Sequence, residues 1–186
     1  MNKTIKHLVS AMAVAGFLLL AFGSDEEEQE QTNSADTPNL QIEFEKSRNQ
    51  FYTSYENAPN EIKKSVVFIE SKSHTCEFES RNGRSFENWT GVITSITTNQ
   101  GGSEVDLYIK SKSQGRTITY KESSIQQGTT LYNKIAEFNE GDNVYFSFKF
   151  LDDIYGLPEC FKESSVTELG SLEEPEFEVS FSNIKL

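Results

Sequence analysis

The sequence predicts a mainly β domain with added helix: a five-stranded Greek-key barrel of the OB type behind a helical N-terminal extension. Apolar and polar residues alternate strictly in short runs, most clearly at Val144, Phe146, Phe148 and Phe150. That is the two-residue period of a strand with one buried face. Helical spacing at Leu131, Ile135 and Phe138 falls between the third and fourth of those runs. A hairpin, a third strand, a helix and two further strands is the order of an OB barrel. A lipocalin-like barrel needs eight strands, and an immunoglobulin sandwich has no such helix.

The chain has 186 residues. Lys3 and Lys6 precede a 16-residue run, Leu8 to Gly23, interrupted only by Ser10 and ended by acidic Asp25 to Glu28. This is the three-part pattern of an export signal. As a helix the run would span about 24 Å, short of the roughly 30 Å of a hydrocarbon core, so cleavage is favoured over anchoring. Ala21 and Gly23 suit a cut after Gly23. The context around Leu19-Leu20-Ala21 resembles a bacterial lipobox, but Phe22 occupies the place of the lipid-bearing Cys. The expected location is the periplasm or beyond the cell, with an inner-membrane anchor holding the domain outside the cytoplasm as the alternative. Contact with a membrane is expected only through an uncleaved residue 1–23 segment.

Residues 24–39 carry no aromatic and no large aliphatic side chain, the composition of a polar tether. Residues 40–79 form the expected helical extension. Leu40, Phe44, Phe51 and Tyr55 share one helix face up to Pro59, and Ile62, Val66 and Ile69 share a face of a second helix over about 60–73. Ser80 to Ser85 is loop chemistry, and residues 86–186 form the expected barrel. Trp89 to Thr97 and Val105 to Lys110 alternate around Asn99-Gln-Gly-Gly102, a hairpin; Thr117 to Tyr120 is a short third strand. Val144 to Phe150 and Phe177 to Ser182 complete the five, joined by a long excursion containing Gly156, Pro158, Gly170 and Pro175.

Three stretches resemble a family of uncharacterised bacterial exported or membrane-anchored proteins with OB-like domains: Trp89-Thr-Gly-Val-Ile93, Gly141-Asp-Asn-Val-Tyr-Phe-Ser147, and Glu163 to Phe177. The resemblance covers the chain from Trp89 onward and implies an OB-like fold outside the cytoplasm. It implies no activity.

Charge narrows the functional classes. The net charge is −12, with 29 acidic residues against 17 Lys and Arg, which opposes phosphate recognition and anionic membrane surfaces. Single-stranded nucleic-acid binding therefore rests on fold analogy alone. Cys76 and Cys160 are expected to pair in an oxidising compartment, although two separate buried thiols would also fit the sequence. Outside the signal the sole histidine is His74. A hydrolytic site, or a metal site with Cys76, Cys160 and Glu159, would have to use it, and no recognised ligand spacing is present. No cofactor or metal is expected.

The leading expectation is a non-catalytic envelope module that binds a protein or small ligand; the alternative is an enzyme site near His74 and the Cys160 loop. Candidate binding residues are Trp89, Tyr108 and Tyr145, with Tyr120, as an aromatic platform, and Glu163, Ser164, Ser165, Thr167 and Glu168 in the long excursion, since connections of that length are commonly functional.

Overall fold

The computed structural model describes residues 37–113, 116–154 and 160–186. The expected export segment and the tether up to residue 36 lie outside them. Two helices come first, α1 (Asn39–Glu56) and α2 (Glu61–Arg81). They are followed by β1 (Phe86–Thr98), β2 (Glu104–Ser113), β3 (Arg116–Gln126), α3 (Thr130–Ile135), β4 (Asn143–Phe150), β5 (Lys162–Glu163), α4 (Glu168–Glu173) and β6 (Glu176–Lys185).

The sheet closes on itself. β1 pairs antiparallel with β2 and β4, β2 with β3, and β4 with β6. β3 then pairs in parallel with β6, Thr119 to Lys121 lying opposite Glu176 to Glu178. This is a closed five-stranded barrel of OB-like topology, with two-residue β5 as an extra strand on β6.

The helices extend the barrel core. Phe44 of α1 is fully buried, its ring 5.1 Å from Phe78 of α2, 5.7 Å from Trp89 and 5.8 Å from Phe177. The amide of Gln41 donates to the carbonyl oxygen of Thr90 and accepts from its N–H, both at 2.8 Å, completing that peptide as a neighbouring strand would. The described residues therefore share one core, and the expected boundary between helical extension and barrel is not a boundary in packing.

Local chemistry sets the element ends. Asn60 caps α2 by accepting from the N–H of Lys63 at 3.0 Å. α2 runs eight residues beyond the expected Ser73, because Thr75, Phe78 and Glu79 continue an inward face. β3 extends past Tyr120 to Gln126. Its alternation is lost where the register with β2 shifts, at Ser124 with φ +57°. α3 is six residues long, shorter than the two to three turns expected. Inside the excursion, α4 and β5 were not foreseen.

Candidate functional site

The long excursion from β4 to β6 is fastened to the helices. Cys160 forms a disulfide with Cys76 of α2, Cα atoms 5.6 Å apart, and Phe161 is buried against Phe150 and Phe177. Two residues on, the Glu163 carboxylate lies inside, 3.6 Å from Lys72 Nζ. Arg48 of α1 is buried nearby and donates to the Ser171 carbonyl at 2.8 Å, the Thr75 hydroxyl at 3.2 Å and the Ser71 carbonyl at 3.4 Å. Burial pushes the Glu163 carboxyl above its ordinary value, opposed by Arg48 and Lys72. The same burial lowers the Arg48 guanidinium, opposed by Glu163.

Thr167 caps α4 by accepting from the Gly170 N–H at 3.0 Å. Glu168 turns back to both helices, accepting from Ser65 of α2 at 3.0 Å and from Tyr55 of α1 at 3.4 Å. Of the excursion residues expected to bind, Ser164, Ser165 and Thr167 line a shallow surface depression of about 580 Å³, with Val166, Gly170, Glu173 and Glu174. Glu163 and Glu168 instead hold the excursion in place.

The expected aromatic platform does not assemble. Trp89 is 1% exposed, packed between Phe44, Phe86, Tyr120 and Phe148. Position 89 falls on the inward parity of β1, so its ring cannot stack on a ligand. Tyr120 is buried as well. Tyr108 and Tyr145 are half-buried, the first with Lys121 Nζ 5.2 Å from its ring centre and the second with Lys185 Nζ at 5.6 Å. Tyr108 lies opposite Ser95 of β1 and Tyr145 opposite Thr90. At about 3.3 Å per residue they are offset by roughly 17 Å along β1, on strands either side of it.

Nor does the region around His74 gather catalytic groups. His74 packs against Phe51 with ring centroids 5.3 Å apart, and its buried Nδ1 has no hydrogen-bond partner. A general base requires that nitrogen to be oriented by an acceptor. Both cysteines are in the disulfide, so neither is a nucleophile. Among the described residues no cluster of three or more His, Cys, Asp or Glu could hold a metal; Glu159 lies outside them.

The feature missed in the sequence is on α2. Its buried face is Ser71, Thr75, Phe78 and Glu79, and at 100° per residue Ile62, Val66 and Ile69 lie on the opposite side. Their exposures are 78%, 40% and 62%, so the stripe faces solvent. The Ser65–Glu168 hydrogen bond brings the 165–169 segment alongside, where Val166 is 97% exposed. The available signal was the four-three spacing of Ile62, Val66 and Ile69 on a helix whose other faces are largely polar. Comparison with protein-family models, curated proteins and solved structures finds no match to this chain. No helix among the described residues is long and apolar enough to cross a membrane.

Proposed function

We propose that this protein is a non-catalytic exported module of the cell envelope that binds another polypeptide along the outer stripe of α2 and the neighbouring 164–169 segment. The observation that carries the reading is the exposure of Ile62, Val66 and Ile69 directly opposite the buried face of the same helix. Branched aliphatic side chains aligned on a rigid helix and left in water favour removal into a partner. The rim is polar, with Lys63 and Glu70 exposed beside the stripe, as at protein interfaces. Export is supported by the apolar run at Leu8 to Gly23 and by the disulfide. Resemblance to exported OB-like proteins fits the same reading.

The test is site-specific photo-cross-linking in the native envelope, with the photoreactive residue at Ile62, Ile69 or Val166 and a control at exposed Thr98 on the barrel. Protein adducts at the first three and not at Thr98 are expected. Equal labelling at Thr98, or none anywhere, would overturn the reading.

A further inference from the structure

We propose that the occupant of the α2 stripe is a second copy of this chain, docked helix to helix and antiparallel about a two-fold axis at Val66. This rests on the stripe being a docking surface, as argued above, and names its partner. The spacing of Ile62, Val66, Ile69 and Ser73 is four, three, four, the a/d seam of two packed helices. With Val66 opposite itself, Ile62 of each copy meets Ile69 of the other, an isologous contact.

Charge selects the orientation. Lys63 and Glu70 occupy the position that flanks such a seam on one side, and an antiparallel pairing centred on Val66 sets each Lys63 against the other copy's Glu70. Both are exposed, and neither enters an ion pair among the described residues. A parallel pairing would set Ser65 against Glu70 and Lys72 against Glu77, yet Lys72 is already engaged with Glu163. It would also bring both barrels to the same end. In the antiparallel arrangement each barrel follows Arg81, about 22 Å along the axis from Val66 at 1.5 Å per residue, so the two lie towards opposite ends.

The seam covers about two helical turns, far less than the roughly 800 Å² per partner of a stable interface. The dimer is therefore weak and reversible, filling over the micromolar to millimolar range.

The full-length chain carrying Val66→Cys tests this under mild oxidation, beside Ser54→Cys on the exposed side of α1 as control. A covalent homodimer at position 66 and not at 54 is expected. In the Val66→Cys background, Lys63→Glu or Glu70→Lys alone lowers its yield several-fold, and the double exchange restores it. Unchanged melting temperatures establish that the variants are folded. Absence of a position-66 dimer, equal yield at position 54, or indifference to the charge exchanges would overturn the second-copy assignment. The photoreactive residue at Ile62 then separates the two readings. An adduct of twice the chain mass supports the second copy. A different protein overturns the second copy and leaves docking intact, and a lipid adduct overturns both.

Discussion

Arg48 Nη2 donates to the carbonyl oxygen of Ser171 at 2.8 Å, across 123 positions of sequence. The other guanidinium amine reaches Thr75 and Ser71, and the carbon of the group stands 5.8 Å over the Phe177 ring. One buried cation therefore fixes α1 against α2, the excursion and the last barrel strand. Glu163, midway along the excursion, supplies the opposing charge.

Replacing Arg48 with Met is expected to cost about 3–5 kcal/mol, since the buried Glu163 carboxylate would lose one of its two neighbouring cations and keep Lys72 and the Ser171 side chain. Urea unfolding measures it. Arg48→Met combined with Glu163→Gln should lose less than Arg48→Met alone; simple additivity would show that the two charges are not coupled.

The Cys76–Cys160 bridge spans 84 positions. On the chain-entropy model a loop of that size stabilises by roughly 4 kcal/mol. Cys76→Ser with Cys160→Ser should therefore unfold at markedly lower urea, and dithiothreitol should bring the wild type to the same midpoint. A wild-type midpoint unmoved by complete reduction would contradict this.

How far the fold was legible depends on where strict alternation survives. Val144 to Phe150 reads as a strand because each inward Phe meets the core on schedule. The continuation of β3 through Lys121 to Gln126 was hidden by the register shift at Ser124, which takes Glu122 to Ile125 off the two-residue period. α4 is only six residues, set by the Thr167 cap rather than by periodicity, and so it reads as loop. At the candidate site, Ser164, Ser165 and Thr167 stand out in the sequence because the excursion is long, and they line one surface depression. The outward turn of the α2 stripe is not legible, because helical spacing reports that a face is apolar and not which way it turns. Trp89 was misread for the converse reason: the sequence shows an aromatic ring, and only strand parity and packing send it inward.

That distinction predicts opposite outcomes for two apolar sites. Phe44→Ala should cost about 3–5 kcal/mol because it empties a site ringed by Phe78, Trp89, Phe150 and Phe177. Ile62→Ser should stay within about 0.5 kcal/mol, as expected of an exposed position. Thermal unfolding of both variants checks the pair; a large loss at Ile62 would mean that the stripe is packed.

Gly91 sits where β1 crosses between its two partners, and a Cβ there would lie 2.7 Å from Ile109 Cγ2 and 2.9 Å from the Lys110 carbonyl oxygen. The second neighbour is backbone and cannot swing aside. Gly91→Ala is expected to cost about 1–3 kcal/mol by overpacking, measured by denaturant unfolding. An unchanged midpoint would show that β1 and β2 can separate locally without cost.

The last expectation concerns pH. Burial raises the Glu79, Glu122 and Glu163 carboxyls above their ordinary values, against partial opposition from Arg84, the Phe181 N–H, and Arg48 with Lys72. A carboxyl whose folded pKa exceeds its unfolded one binds more proton in the native state, so unfolding becomes easier as pH rises. The stabilisation from protonation is complete below the unfolded value of about 4.3 and is lost as pH climbs through the folded values. The three groups together should make the protein more stable near pH 4 than at pH 7, the reverse of a protein held by exposed ion pairs. Glu122 isolates the effect: it fills the gap where β3 and β6 part, accepting the N–H of Phe181. Glu122→Gln removes its titration while keeping an acceptor, and should flatten the melting-temperature profile above pH 4. A steeper fall in the variant than in the wild type would place the acid-linked stability elsewhere.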